Sequence, residues 1–592
     1  MRCLCYIVVL LPLALPAQLP YAAAGLTEAE AAAHLLDRLA YGARPGEVEQ
    51  LVAYGLENWL NDQLRPAADT LDLSARYPAT ALSLTAISRT YPGPGVRILF
   101  ARQRLGELDG MMGDQTGNSR AMGGMGDSLQ NGGGQAALLN RILNVEPNPY
   151  ADNPRLRAVN ERLGYQPLED LTYQTMAQKL ERAVYGKRQL VEQLTDFWFN
   201  HFNVTVTSVN EATPHVLSYE RDAIRPHVLD SFRELLGATA RHPAMLLYLN
   251  NHRSNAAGGV TSLQPLREPP RASGMAANNG FQQQPGINEN YARELLELHT
   301  LGVDGGYTQT DIEEAARVFT GWKMNPATYP LGEQAERLLD FLARQPGVLL
   351  EGGFYFDPSR HDAEAKAVLG LDFPAGGGPE EGERLLDHLA IHPATARHLA
   401  RKLAERFVSD TPSDTLVEAV AAAFLASNGD LRETTRALAY HPEFWASRTH
   451  KIKTPIEYIA SSLRALGARI DDPRHLLRWS NRMGQPLYAY QAPTGYPERA
   501  SHWTNGSALL NRMNFGLALA SGDIEGVRTD LLALNRNHEP SSARDALATY
   551  LPLLLPARDV TETYALLLPN VTGGDLAQVV GLILGSPEFQ RQ

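Results

Sequence analysis

Cysteine is nearly absent from this 592-residue chain: the only two, Cys3 and Cys5, sit among the first five residues. Both fall inside the export signal read below, so a mature chain would carry no thiol. Disulfides, thiolate nucleophiles, Cys-ligated zinc and iron–sulfur clusters are then excluded. Basic charge is short as well. With 54 Lys and Arg against 66 Asp and Glu the formal charge is -12 and the pI near 5.8, which argues against a general grip on nucleic acid or anionic lipid. After Leu26 no stretch approaches the roughly 20 apolar residues that a membrane-spanning helix needs. Also missing are a Gly-x-Ser-x-Gly elbow, a Gly-Lys-Ser/Thr phosphate loop and a dinucleotide fingerprint between strand and helix. The familiar hydrolase, nucleotide-binding and Rossmann explanations therefore lack their carriers.

What is present begins with "MRCLCYIVVLLPLALPAQLPYAAAGL": Arg2, an apolar stretch to about Pro16, then Ala22, Ala23 and Ala24. This reads as a cleavable signal peptide, residues 1–24, cut near Ala24 and sending the protein to the periplasm or beyond. Pro12, Pro16 and Pro20 argue against a membrane anchor. From Leu26 onward apolar residues recur every three to four positions, as in "AAAHLLDRLAYG" and "TPIEYIASSLRALGARI". That spacing predicts a mostly α fold, a multi-helical globular array with few short strands. The best strand candidates are Phe202–Val209 and Gly347–Asp357. The chain divides into an N-terminal helical segment (25–105), a Gly/Met-rich insertion (106–135), a helical core with the candidate site (136–450) and a C-terminal helical segment (451–592). The insertion has little to bury and reads as a flexible loop. Its Met111, Met112, Met122 and Met125 also offer soft thioether ligands to Cu(I). The stretch Asn251–Gly286 is a second long loop, of a length that suits a flap.

The polar residues most able to carry chemistry gather in three blocks. In "INENYARELLELHTLGVDGG", helical spacing places Asn290, Arg293, Glu294 and Glu297 on one stripe, with Tyr291, Leu295 and Leu298 on another and His299 near the apolar edge. The spacing matches neither a His-Glu-x-x-His site nor a Glu-x-x-His pair. Glu294 and Glu297 either meet water or are buried against a cation or basic residues such as Arg401 or Lys402, and burial is the expectation adopted. Gly302, Gly305 and Gly306 make a helix–loop–helix corner, and Thr308 with Asp311 starts the next helix. In "LVEQLTDFWFNHFNV", His201 shares a stripe with Leu190, Leu194 and Phe197, as a core histidine or as a ligand or base. In "FDPSRHDAEAKAVLG", His361 precedes an Asp362–Lys366 spacing that fits an i,i+4 pair. Finally, Arg397, Arg401, Lys402 and Arg406 surround a Leu399/Leu403/Phe407 stripe. Such a basic helix can dock an acidic one or bind an anion.

Seven stretches, in order, carry a resemblance. They are "AAHLLDRLAYGARPGEVEQLVAYGLENWLNDQL", "LTDFWFNHFNV", "RDAIRPHVLDSFRELLGATARHPAMLLYLNN", "NENYARELLELHTLGVDGGYTQTDIEEAARVFTGW", "FDPSRHDAEAKAVLG", "HPATARHLARKLAERFV" and "GQPLYAYQAPTGYP". The chain resembles the bacterial family filed as domain of unknown function 1800, over about Ala31 to Phe589, so that 25–592 reads as one family domain. The resemblance implies an exported, largely helical protein, often encoded beside a sulfatase-like exported protein; it implies no reaction. Asn250 stands where the family usually has Asp, which weakens any mechanism needing an acid there.

Two readings follow. In the first, Glu294, Glu297, His299, His201 and His361 are candidate catalytic groups, and Asn290, Arg293, Lys366 and Arg401 are candidate substrate contacts. All of these converge on one pocket for metal-assisted or acid–base chemistry in an exported cell-envelope protein. In the second, the same residues are caps and buried salt bridges of a non-catalytic scaffold that binds an exported partner or a polysaccharide. Whether a metal or other cofactor is used is left open.

Overall fold

Capping chemistry starts the helices where the apolar spacing places them. Thr27 accepts from the Glu30 amide while Glu30 accepts from Thr27, which opens helix Glu28–Leu39. Thr308 with Asp311 opens Gln309–Val318, as the sequence predicts, and Thr454 with Glu457 opens Pro455–Ala465. Each box satisfies backbone donors that a helix start otherwise leaves unpaired, and a cap of this kind is worth about 1 kcal/mol. Asp430 and Asp575 likewise cap helices Leu431–Ala439 and Leu576–Gly585.

The computed structural model describes residues 18–66, 71–93, 161–207, 212–256, 286–328, 333–571, 573 and 575–592. The fold is mostly α-helical. Apolar stripes of many helices meet in one large core: Leu35, Leu36 and Leu39 near the N-terminus, Leu190, Leu194 and Phe197, then Leu399, Leu403 and Phe407, then Ile456, Ile459 and Leu463. Trp198, Trp322, Trp445 and Trp503 are completely enclosed. At roughly 1.5–3 kcal/mol for each large apolar side chain, this burial is what offsets the entropy of ordering the chain.

Strands are few and short. β1 (Trp322–Met324), β2 (Leu349–Glu351) and β3 (Phe354–Phe356) form an antiparallel sheet in the order β1-β3-β2, with Trp322 opposite Phe356. β4 (Lys366–Val368) pairs with β5 (Leu371–Phe373), and β6 (Arg469–Ile470) pairs with β7 (Val527–Arg528). The Gly347–Asp357 expectation is thus met. The Phe202–Val209 expectation is not: Phe202–Thr207 contains no strand. Its Asn203 side chain instead donates to the Tyr490 and Ala492 carbonyls, and the Val206 amide donates to the Tyr488 carbonyl. Those bonds tie the segment to the irregular stretch Gly484–Pro497.

The basic helix Pro393–Phe407 docks an acidic neighbour. Arg397 and Arg401 pair with Glu418 and Asp414 of helix Asp414–Ala426 at 2.7 and 2.9 Å. At the N-terminus, Leu19 is buried and its amide donates to Glu57 Oε1 at 3.1 Å, and Tyr21 rests against Trp445 with ring centres 5.7 Å apart. The Gly106–Gln135 insertion, and 257–285 of the second long loop, lie outside the described residues.

Candidate functional site

Helix Gln189–His201 buries Leu190, Leu194 and Phe197 and ends on His201, whose ring is enclosed by Phe197, Trp198 and Phe202. Its Nε2 lies 3.1 Å from the carbonyl oxygen of His299. That carbonyl belongs to Leu295–Thr300, which winds as a π-helix directly after the short helix Asn290–Glu294. The wider turn is fixed by Thr300 Oγ1 donating to the Leu295 carbonyl at 2.6 Å and by the Leu301 amide donating to the Leu296 carbonyl at 2.9 Å. His398, from helix Pro393–Phe407, places Nε2 3.1 Å from the Leu298 carbonyl. Two imidazoles thus cover carbonyls of the π turn, with His201 centred 6.2 Å from His299 and 6.1 Å from His398.

These rings are held neutral. Burial pushes His299 down to about 3 and His398 to about 4, with Lys402 adding to the effect in both, and burial drives His201 well below the ordinary histidine range. His201 Nδ1 and His299 Nε2 have no hydrogen-bond partner among the described residues. Among those residues no group of three or more His, Cys, Asp and Glu side chains is disposed to hold a metal ion.

Beside His201 the structure opens into a cleft of about 200 Å³, lined by Phe197, Asn200, Lys402, Glu405, Tyr490 and Thr494–Glu498. Its lip is the Gly484–Pro497 stretch, fastened by Asn200, which accepts from the Tyr496 amide at 2.6 Å and donates to the Tyr496 carbonyl at 2.8 Å. Gly495 has φ +70° and passes so close that a Cβ would stand 2.2 Å from the Asn200 carbonyl oxygen. Only glycine meets both demands.

Behind this lip, and sharing Asn200, Tyr496, Pro497 and Glu498 with it, runs a buried ionic network. Arg406 reaches Asp196 at 3.3 Å and Glu457 and Glu498 at 3.0 Å each. Asp196 also meets Lys179 at 2.9 Å, and Lys179 meets Glu220 at 3.2 Å. Glu220 lies in a second π-helix, Tyr219–Ile224. Burial alone would raise its carboxyl, but Lys179, Arg225 and hydrogen bonds from Tyr488 and Gln178 hold it at about 2.

Lys402 differs from every other lysine inside the protein. Of the 54 basic residues only seven are lysines. Lys179, Lys366 and Lys451 meet carboxylates, Lys323 and Lys453 end on carbonyl oxygens, and Lys187 is exposed. Lys402 has no hydrogen bond or ion pair among the described residues and opens onto the cleft. Its side chain is half-buried, and that burial lowers its pKa, partly offset by Glu498 and Glu405. Both of those carboxylates are already engaged, Glu498 by Arg406 and Glu405 by Arg499 at 3.2 Å.

The residues picked out by sequence divide accordingly. His201 lines the cleft; His299 sits behind it in the same histidine group. Glu294 is half-buried, its carboxyl raised by burial and by Glu297, and neither residue meets Arg401 or Lys402. The expected pairing is therefore corrected: Arg401 is committed to Asp414 at the surface, and Lys402 faces the cleft. Asn290 is exposed, and Arg293 pairs with Glu289 at 3.2 Å and with Gln309. His361 and Lys366 form a separate sealed group, meeting Glu381 Oε2 at 3.2 and 2.8 Å with side chains almost wholly enclosed. The Asp362–Lys366 pair does not form, because Lys366 starts β4 rather than continuing a helix, and Asp362 instead meets Arg317 at 2.9 Å. Sequence reasoning missed His398, Glu405, Tyr490 and Glu498. The scarcity of lysine was the one signal that could have singled out Lys402.

This chain belongs to the family described as protein of unknown function (DUF1800), whose model matches residues 34–591. No curated protein and no solved structure matches it.

Proposed function

We propose that this is an exported helical protein of the cell envelope whose Lys402 cleft binds a small polar molecule and acts on it by acid–base chemistry. One observation carries the reading: Lys402 is a half-buried lysine left without a partner among the described residues, and it lines a cleft whose carboxylates are already paired. A half-buried, unpaired amine is more costly to keep charged than an exposed one and so gives up its proton more readily to act as a base. Glu405 shares the cleft wall as a group able to exchange the proton. The expected participation of Glu294, Glu297 and His361 receives no support from their positions.

Competitive acylation with acetic anhydride, read by peptide mass across pH 6–10, tests this. Lys402 is expected to acylate at lower pH than the exposed Lys187. A profile for Lys402 at or above that of Lys187 would overturn the acid–base reading. The same peptide map tests export. Leu19 and Tyr21 pack against the body, which supports a signal cut ahead of Leu19 rather than near Ala24. A mature chain that starts at Gly25 would contradict that placement.

A second reading, a scaffold for an exported partner such as the sulfatase-like neighbour that the resemblance implies, or for a polysaccharide, is favoured by the sealed His361–Lys366–Glu381 group and the paired Arg397 and Arg401. Co-purification of such a partner by wild type and Lys402→Met protein alike would move this reading to the front.

A further inference from the structure

The cleft wall offers Lys402 something a simple base does not need. A group acting only as a base could be a carboxylate, and Glu405 already lines the cleft. Yet a primary amine is placed there, in a chain that uses arginine for nearly all of its basic positions and keeps just seven lysines. Arginine, at the same charge, is always protonated and has no usable lone pair, whereas a lysine amine is a nucleophile once neutral. The two carboxylates closest in the lining are tied to Arg406 and Arg499, so neither claims the amine in an ion pair. At about 200 Å³ the space admits a small molecule and not a polymer segment. Tyr490, Tyr496 and Pro497 supply an apolar edge to it, and Asn200 and Thr494 supply polar ones.

From this arrangement we infer that Lys402 forms an imine with a small aldehyde or ketone bound in the cleft. The inference rests on the acid–base reading of the same site and names its substrate class. The amine lone pair attacks the carbonyl carbon, a C–N bond forms, and the carbonyl π pair moves to oxygen, which takes up a proton to give the carbinolamine. The nitrogen then gives up its extra proton, a second proton goes to the hydroxyl oxygen, the nitrogen lone pair forms the C=N bond as the C–O bond breaks and water leaves, and the nitrogen releases its last proton to replace the one supplied. One amine and one carbonyl compound yield one imine and one water, with no change in oxidation state. Glu405, on the same wall, is the group placed to pass these protons.

Trapping tests the inference directly. The full chain is incubated near pH 7 with acetaldehyde or pyruvate and sodium cyanoborohydride, which delivers hydride to the imine carbon and fixes the adduct as a secondary amine. Peptide mass mapping should find Lys402 alkylated at least about tenfold more than exposed Lys187, because a partly desolvated amine is more often unprotonated. The adduct should vanish from that peptide in Lys402→Arg protein that retains the wild-type circular dichroism spectrum. Alkylation confined to Lys187 and the amino terminus would overturn the imine. If acetic anhydride still labels Lys402 early in that case, the imine fails alone and the acid–base cleft stands. If neither reagent reaches Lys402, both fall.

Discussion

Lowering the pH from 7 to 4 will unfold this protein. His34 and His299 are held by burial at about 3, and His215, His252 and His398 at about 4. In the unfolded chain each would take a proton near pH 6.5, so between 6.5 and about 4 the unfolded state binds more protons than the folded one. Stability is complete above pH 6.5 and is lost as pH falls through that window, by about 1.4 kcal/mol per pH unit for each histidine at full slope. Five such groups acting together rival the 5–15 kcal/mol that holds typical folds. Glu181 and Glu294, raised by burial, act in the opposite sense but are only two. Glu220, at about 2, adds a further loss below the ordinary carboxyl range. Thermal melts at half-unit pH steps will show the midpoint falling steeply below pH 6; a flat profile to pH 4 would mean that these imidazoles are not buried neutral.

Arg406→Met will be the most damaging single change in the ionic network. Its guanidinium serves Asp196, Glu457 and Glu498 at once and accepts help only from Gln193, at 2.8 Å. Removing it strands carboxylates in the interior, a loss of roughly 3–5 kcal/mol. Urea midpoints will report it, and adding Glu457→Gln should recover part of the loss because one stranded charge is then gone. A change under about 1 kcal/mol would show the network to be hydrated rather than dry.

The helices and their caps were legible because each depends on residues within a turn or two of one another. Gly347–Asp357 was legible as strand for the same reason. The site was not, and three local features account for this. Leu295–Thr300 carries no mark of a π turn; its Thr300 hydroxyl and Leu301 amide close i,i+5 bonds that shift the phase of everything after Glu294, so the α-helical wheel set Leu298 on the apolar stripe where the structure leaves it half-buried and buries Leu296 and His299. Phe202–Thr207 alternates like a strand, but its bonds go to Tyr488, Tyr490 and Ala492, nearly three hundred residues away in sequence. Lys402 stood among arginines on an amphipathic helix and looked like one of them. What distinguishes it, the absence of a partner, is a property of the folded arrangement around Glu405 and Glu498.

The central claim is that Lys402 is kept for chemistry and not for stability, and a comparison of Lys402→Met with wild type in the same thermal melt tests it most directly. A half-buried amine without a partner adds little to the fold and costs desolvation, so methionine, similar in length and uncharged, should leave the midpoint unchanged or raise it. A midpoint lowered by an amount corresponding to about 2 kcal/mol or more would make Lys402 a structural residue and contradict the cleft as a reactive site.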